Sequence, residues 1–377
     1  MKLYGKTSIS EFLGDRLVYR NLEPADKGLP SLSNLGPMVG LPIGRIPRKT
    51  ETDYALVIVN LLRVAQQQRG IRLPLQRILF IGDTRLLDGT AFANLCLASG
   101  WPGLAFIGAE NNKPAAVEVV PNESGQSLYL ANRWAALNDF KAYAVSHDFP
   151  VDEQTAVIVD IDKTALGARG RNASVIDNAR VQAVQHTVAA LLEASFDLNA
   201  FRSAYDLLNQ PEFHSFTTDN QDYLAYLCLI LGSGLYQLDK IADGIRQKRL
   251  ISFAAFMAEV DTHLQELPPS LAAIHADIYA NVQRGDPTPF KSFRRNEYLT
   301  TIRCFGNCSE AAPIEKRLAE EITVTQEVRG ASLDWQKQGA LLFGLSDKPD
   351  EAATPTPELA SQGYLPIHRA VTHAVGA

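Results

Sequence analysis

Two apolar runs in the first half of the chain each end in a pair of acidic residues. The run "ILFIG" leads into Asp83, with Asp88 five residues later, and the run "AVIV" leads into Asp160 and Asp162. Uninterrupted apolar runs of this length predict strands that are buried on both faces of a sheet. The acidic side chains would then lie where these strands end.

Strands and helices alternate around these runs. A capping-box pattern at Thr50 and Asp53 predicts a buried helix up to Gly70. The further predicted elements are helices over "TAFANLCLA" and about 127–145, and strands at 77–82, 104–108, 156–161, 320–328 and 339–347. This order predicts an α/β fold with a parallel sheet. The Gly- and Pro-rich residues 1–48, and the tail after the last strand, are predicted to be mostly loop.

Between the acidic strands and the last two strands, the pattern changes to consecutive amphipathic helices. Segments such as "NQDYLAYLCLILGSG" and "ISFAAFMAEVDTHLQEL" have helical spacing, and no strand is predicted in this stretch. We therefore expect an all-α insertion in an α/β core. The predicted domains are 1–173 (first part of the core), 174–305 (helical domain) and 306–377 (second part of the core and tail).

The composition narrows the class of protein. The 377 residues are 46% hydrophobic and carry a net charge of −6, which is typical of a globular protein and does not favour binding to nucleic acid or to an anionic membrane. The N-terminus has no apolar signal core, and no run is as long as a membrane span. A cytoplasmic location is the expectation, and any phosphate group must be held by local cations.

Asp160 and Asp162 are two residues apart, so both side chains can point into the crevice beyond the strand. One carboxylate can attack phosphorus, and the other can protonate the leaving oxygen. A divalent cation would relieve their repulsion, and a hard ion such as Mg²⁺ prefers oxygen ligands of the kind that Asp83 and Asp88 also offer. The sequence thus predicts a metal site made by Asp160, Asp162, Asp83 and Asp88.

The strand followed by Asp160-Ile161-Asp162-Lys163-Thr164 resembles the first motif of the haloacid dehalogenase superfamily. The resemblance implies that Asp160 is the nucleophile and Asp162 the general acid/base, and the second Asp implies a phosphatase or phosphotransferase. The stretch "LFIGDTRLLDGTAFANLCLASGWPGLAFIG" is similar to the fourth motif of this family, whose acids hold Mg²⁺. The implied fold is a haloacid dehalogenase-like, Rossmann-like parallel sheet with an inserted helical cap.

The order of the two motifs departs from that of the family. The fourth-like stretch precedes the first by about 75 residues in the printed sequence, whereas the family has it last. A circular permutation would explain this order, and permutation is tolerated where chain termini lie close together at the surface. The alternative is that the first stretch belongs to an unrelated Rossmann-like domain.

The second and third motifs of the family have several candidates here. The second is a Ser or Thr at a strand end, for which Thr325 is the first choice and Thr323 the fallback. The third is a Lys that stabilises the phosphorylated aspartate. Lys49 suits the permuted order, Lys348 is the rival, and Lys337 is a less favoured choice.

A linear arrangement is an alternative to the permutation. In it, the segment "SDKPDE" would be the fourth motif, with Asp347 and either Glu351 or Asp350 as the metal-binding acids.

Substrate contacts are expected from the residues that follow the first motif. Thr164, Arg169 and Arg171 are candidates to bind phosphate or a second anionic group, because the guanidinium fork suits such groups. His368 and His373 lie five residues apart in the tail, where a structural role is the simpler interpretation.

The resulting prediction is a Mg²⁺-dependent phosphatase that acts on a small phosphorylated metabolite through an aspartyl-phosphate on Asp160. One alternative is a glycosyltransferase, because an Asp-x-Asp after an apolar strand also binds Mn²⁺ and a nucleotide sugar. The other alternative is a haloacid dehalogenase-like scaffold without activity, which would be favoured if no Lys lay near Asp160.

Overall fold

The computed structural model of the chain describes residues 1–122 and 126–377. Its strands are β1 (Lys2–Thr7), β2 (Leu17–Val18), β3 (Arg77–Gly82), β4 (Gly103–Gly108), β5 (Val117–Asn122), β6 (Gln126–Ala131), β7 (Thr155–Asp160), β8 (Val324–Thr325), β9 (Leu341–Leu345) and β10 (Thr372–Gly376).

Helices separate most of these strands. They are α1 (Ser10–Leu13), α2 (Leu32–Leu35), α3 (Thr52–Gln68), α4 (Leu87–Ser99), α5 (Leu137–Ser146), α6 (Ala173–Leu192), α7 (Leu198–Leu208), α8 (His214–Thr217), α9 (Gln221–Gly232), α10 (Leu238–Arg246), α11 (Phe253–Asp261), α12 (Pro269–Gln283), α13 (Lys291–Ile302), α14 (Ile314–Glu320), α15 (Gln326–Lys337), α16 (Asp350–Ala353) and α17 (Pro357–Ser361).

The main sheet has the strand order β2-β9-β7-β3-β4-β6-β5. Its neighbouring strands run parallel, except that β5 pairs with β6 in the antiparallel direction. A smaller sheet has the order β1-β10-β8. The predicted α/β class, with a mostly parallel sheet, is therefore confirmed.

The two strands that carry the acidic residues are neighbours at the centre of the main sheet. Every residue of β7 is buried, as is every residue of β3 after Arg77. Helices α3 and α4 cover this part of the sheet and contribute residues such as Ile58, Leu62 and Leu95 to the same hydrophobic core as Phe80. Such burial explains why both strands are continuous apolar runs in the sequence.

The predicted helix at 127–145 is wrong in its first part. Residues Gln126–Ala131 form strand β6, which lies between β4 and the antiparallel edge strand β5, and the helix begins only at Leu137. The segment contains good helix formers, but pairing on both sides overrides this propensity.

The second half of the core also differs from the prediction. The strand expected at 320–328 is reduced to the two residues of β8, and Gln326 already begins α15, which buries Val328 and Trp335. The tail, predicted to be mostly loop, also contains α16, α17 and β10. Residues 1–48, predicted as loop, contain β1, whose partner strand is β10 at the opposite end of the chain.

The chain divides into two compact units. One consists of Met1–Asn178 together with Thr301–Ala377 and contains both sheets, and the other is Ala179–Thr300. The second unit is helical and has its own core, which includes Phe213, Tyr226 and Phe256. None of the helices that the structure describes has the length and the apolar character needed to cross a bilayer.

Candidate active site

The carboxyl ends of three neighbouring strands meet beside Asp160. This residue is the last one of β7, and it lies opposite Leu345 of β9. On the other side, Val159 lies opposite Ile81 of β3. The residues that follow β3 and β9 therefore emerge at the same edge of the sheet as Asp160, which is where ligands bind in open α/β sheets.

Lys49 reaches this edge from the segment before α3. Its Nζ lies 2.5 Å from Oδ1 of Asp160 and 2.7 Å from Oδ1 of Asp88, and all three side chains are buried. The amide of Asn94 on α4 donates a hydrogen bond to the carbonyl of Thr50, which holds the segment next to Lys49 in place. One ammonium group thus bridges carboxylates from two separate stretches of the chain.

Asp88 is fixed by the loop that it closes. Its Oδ2 accepts hydrogen bonds from the backbone N–H of Asp83 (2.8 Å), the backbone N–H of Thr84 (2.9 Å) and the hydroxyl of Thr84 (3.1 Å). Together with Lys49 on Oδ1, these donors engage both of its carboxylate oxygens. The five-residue spacing between the two acids therefore allows the side chain of Asp88 to bond to the backbone at the start of the loop.

Asp83 completes an acidic cluster. One carboxylate oxygen from each of Asp83, Asp88 and Asp160 lies within 4.8 Å of the others. The guanidinium of Arg169 pairs with Oδ2 of Asp83 through its Nε. Three carboxylates are thus opposed by two cationic groups, Lys49 and Arg169, so the cluster retains an excess of negative charge when every group is ionised.

The charges of the cluster shift the pKa values of its members. Burial, together with Asp88, raises the pKa of Asp83 to about 7, although Arg169 opposes the shift. Burial disfavours the charged form of Asp88 as well, yet Lys49 lowers its pKa to about 2. Burial and the neighbouring acids raise the pKa of Asp160 against the pull of Lys49. Despite its own burial, Lys49 has a raised pKa because of Asp160 and Asp88.

Asp162 lies outside this cluster, so the structure brings together three of the four predicted metal ligands. Its Oδ2 accepts a 2.9 Å hydrogen bond from the hydroxyl of Ser346, and the backbone N–H of Lys348 donates to that hydroxyl at 3.0 Å. Ser346 directly follows β9, the neighbour of β7. Ser346 is not among the residues predicted for the site, although, like Asp83, it is a polar residue that directly follows an apolar strand.

The threonine candidates hold the segment after β7 in place. The hydroxyl of Thr325 donates to the carbonyl of Thr164 at 2.5 Å, and its backbone N–H donates to the carbonyl of Ala165 at 2.9 Å. Thr323 donates through its backbone N–H and its hydroxyl to the side chain of Asn172. Both residues therefore support the loop that carries Asp162 and Arg169.

Arg171 is engaged in buried ion pairs. Its guanidinium lies 2.7 Å from Oε1 of Glu110 and 2.9 Å from Oε1 of Glu327, and it donates to the carbonyl of Val375. The structure thus places Arg171 in a junction between three segments, whereas Arg169 lies at the acidic cluster.

The two histidines of the tail are buried, and their hydrogen bonds are with residues outside the acidic cluster. His368 is hydrogen-bonded to Tyr19 at 2.9 Å and to Asp15 at 3.0 Å. His373 is bonded to Glu321 at 2.7 Å. The contacts of His368 join the two ends of the chain, and that of His373 joins β10 to the residue after α14.

The acids of "SDKPDE" do not belong to the cluster found among the described residues. Asp347 is exposed and lies 3.6 Å from Arg20. Asp350 begins α16 and accepts a hydrogen bond from the backbone N–H of Asn21. Lys348 is buried beside Ser346, and Asp160 forms its ion pair with Lys49.

Two buried hydroxyls, one four residues after Asp160 and one five residues after Lys49, have no hydrogen-bond partner among the described residues. They are Oγ1 of Thr164 and the phenolic oxygen of Tyr54. Tyr54 is on the first turn of α3, and the charges of Lys49, Asp160 and Asp88 all act on its pKa. An unsatisfied buried polar group costs about 1–3 kcal/mol, so the hydroxyl of Tyr54 is suited to form a hydrogen bond with a group that enters the site.

Comparisons with protein-family models, with curated proteins and with solved structures found no match to this chain. The functional interpretation therefore rests on the residues of this site and on their geometry.

Proposed function

We propose that the chain is a Mg²⁺-dependent phosphatase of the haloacid dehalogenase type that hydrolyses a small phosphorylated metabolite. The observation that carries the proposal is the bridge from Lys49 to Asp160 and Asp88. It supplies the counter-charge that a phosphorylated aspartate needs.

In the proposed reaction, Asp160 is the nucleophile. Its free carboxylate oxygen attacks phosphorus while the bond from phosphorus to the leaving oxygen breaks, and Asp162 gives its proton to that oxygen. Asp162 then takes a proton from water, and the water oxygen attacks phosphorus and releases phosphate and the carboxylate of Asp160. Asp160 receives a hydrogen bond from the described residues at Oδ1 only, which leaves Oδ2 open for the attack.

The donor set at this edge fits a hard divalent cation. Carboxylate oxygens are the preferred ligands of Mg²⁺, and three of them lie together at Asp83, Asp88 and Asp160. We assign Asp83 and Asp160 as the residues that hold it, because Asp88 is already engaged by the loop and by Lys49. When bound, the cation neutralises charge on the phosphoryl oxygens.

Ser346 is a better candidate than Thr325 for the hydroxyl that holds the transferred phosphoryl group. It follows a strand that pairs directly with β7, and its hydroxyl contacts the proposed acid/base Asp162. Thr325 uses its hydroxyl on the carbonyl of Thr164 instead. We therefore propose Ser346 for the role of the second motif.

The contact between the chain ends supports the circular permutation. Lys2 pairs with Gly376 across β1 and β10, and the hydroxyl of Tyr4 donates to the carbonyl oxygen of Ala377 at 2.8 Å. A chain whose ends meet in this way can be opened at another loop without loss of the core. The helical unit Ala179–Thr300 follows the first motif in the sequence, as the proposed cap would.

The test is the hydrolysis of p-nitrophenyl phosphate and of a panel of phosphorylated sugars, acids and nucleotides, with Mg²⁺ or with EDTA. We expect Mg²⁺-dependent turnover that is abolished in D160N, with the circular dichroism spectrum unchanged. D347N is the matched control, because the linear motif arrangement would make Asp347 a metal ligand. Retained turnover in D160N, or turnover of nucleotide sugars with Mn²⁺ instead of phosphoesters, would overturn the proposal.

A further inference from the structure

We propose that Arg169 competes with the divalent cation for Asp83, and that binding of the cation releases Arg169 to the phosphoryl group of the substrate. This inference rests on the proposed function, because it assumes a cation at Asp83. It assigns to the site an order of binding in which the cation precedes the anion.

The side chain of Arg169 is only partly committed. Its Nε pairs with Asp83, whereas its two Nη groups have no hydrogen-bond partner among the described residues. The side chain retains 38% of its exposure, compared with 3% for Arg171, whose guanidinium is engaged by two glutamates and a carbonyl. Arg169 therefore has donors left for an anion, and Arg171 does not.

The backbone at Arg169 is fixed, so a change of partner has to occur in the side chain. Its N–H donates to the carbonyl of Lys163 at 2.7 Å, and its carbonyl accepts from the N–H of Glu110 and from the indole of Trp134. Next to it, Gly170 has a positive φ and packs so closely on Glu110 that a Cβ would lie 1.9 Å from the carbonyl oxygen.

The charge of the cluster gives the reason for a competition. The carboxylate of Asp83 has one strong cationic partner now, and the only other cation in the cluster, Lys49, contacts Asp88 and Asp160. A divalent cation on Asp83 would stand beside the guanidinium and repel it. The displaced guanidinium would lie next to the phosphoryl group, for which its forked donors are suited.

Competition for one carboxylate is a coupling free energy that can be measured without turnover. In the experiment, the full chain is titrated with Mg²⁺ alone, and binding is measured by isothermal titration calorimetry. The proteins compared are wild type, R169Q and R85Q. Arg85 lies two residues after Asp83, is exposed, and makes no hydrogen bond or ion pair with the described residues. R85Q therefore removes the same charge from the same loop without removing the contact with Asp83.

We expect R169Q to bind Mg²⁺ at least about fivefold more tightly than wild type, the lower end of the usual coupling between linked sites. R85Q should stay within about twofold, because an exposed charge is screened by solvent. R169K is the second variant, for the case that R169Q does not fold, and its retained charge should keep the affinity close to that of wild type. Equal or weaker Mg²⁺ binding in R169Q, or an equal gain in R85Q, would overturn the competition.

The release of Arg169 is tested with inorganic phosphate as the probe. Phosphate should bind to wild type saturated with Mg²⁺, and about tenfold or more weakly to R169Q under the same conditions, as expected for the loss of a charge-assisted hydrogen bond. Equal phosphate binding by both proteins would exclude the release. Neither titration needs turnover, so a failure here is distinguishable from a failure of the proposed phosphatase activity, which D160N tests.

Discussion

The Nζ of Lys49 lies 2.5 Å from Oδ1 of Asp160, although 111 positions separate the two residues in the sequence. Lys49 lies in the segment before α3, and Asp160 is the last residue of β7, which pairs with the central strand β3. The parallel pairing of β3 and β7 brings Asp88, at the start of α4, beside the end of β7, and Lys49 contacts both carboxylates. The contact is the reason to treat these two distant segments as one site.

Replacement of Lys49 should impair the chemical step. We expect K49Q to lower kcat for p-nitrophenyl phosphate by about 100- to 1000-fold, the usual loss when a donor that stabilises transition-state charge is removed. Steady-state kinetics of wild type and K49Q under saturating Mg²⁺ would measure this. K337Q, which replaces an exposed lysine of α15, is the control and should keep its activity. A kcat within tenfold of wild type in K49Q would show that the bridge does not serve catalysis.

Replacement of Arg171 should act on stability. The guanidinium is buried between Glu110 and Glu327, so R171Q leaves two carboxylates without their cation. Removal of one partner from such a buried pair costs about 3–5 kcal/mol. The free energy of unfolding from urea titrations should fall by this amount in R171Q.

The control for Arg171 is an exposed arginine–glutamate pair. Arg246 lies 2.7 Å from Glu212, and both side chains are nearly half exposed. Solvent screens such exposed pairs, so they contribute little to stability, and R246Q should have a free energy of unfolding close to that of wild type. If R171Q and R246Q lower the free energy of unfolding by the same amount, the burial of Arg171 is not the reason for its contribution to stability.

The acidic residues and their strands were predictable because each signal is local. An apolar run that ends in Asp indicates a buried strand and a side chain at its carboxyl end, and this held for Asp83 and Asp160 alike. The neighbouring positions of β3 and β7 were not given by the sequence pattern. They depend on the strand order of the sheet, which non-local pairing decides.

Residues whose role depends on a distant partner were the ones that the sequence analysis missed. Ser346 gains its significance from pairing of β9 with β7, and β10 becomes a strand because β1 lies beside it. The sequence pattern places Thr325 in a long strand, whereas the strand in the structure has only two residues. The local sequence pattern does not show which strands pair, so it could not identify the roles of Ser346, β10 and Thr325.

Acid should weaken the contact between the two ends of the core at Asp15. The hydrogen bonds from Arg369, together with that from His368, lower the pKa of this carboxyl to about 2 against the effect of burial, compared with an ordinary value of 3.8. Because the pKa of Asp15 is lower in the folded state, its carboxylate stabilises the folded protein at pH values above the ordinary pKa. This stabilisation is lost as the pH falls toward 2.

We therefore expect the free energy of unfolding to decrease from about pH 5 to about pH 2, with a smaller decrease in D15N. Urea titrations across this range would measure both slopes. The matched control is D206N, which removes an exposed acid that makes no ion pair with the described residues. Identical slopes for D15N and wild type would mean that Asp15 does not contribute to the acid sensitivity.

Gly170 and Gly100 provide a test of the close packing beside Arg169. Both have a positive φ, +78° and +74°, so alanine is strained at either position. A Cβ on Gly100 meets no atom within 4 Å, whereas on Gly170 it would lie 1.9 Å from the carbonyl oxygen of Glu110.

We expect G100A to cost about 1–2 kcal/mol, the penalty of the left-handed conformation alone. G170A should cost clearly more in the free energy of unfolding, since backbone atoms have to move as well, and it should also weaken Mg²⁺-dependent turnover by displacing Arg169. Equal losses of stability in G170A and G100A would show that the backbone at Gly170 can move to accommodate a Cβ. The backbone of Arg169 would then not be held as tightly as the contact implies.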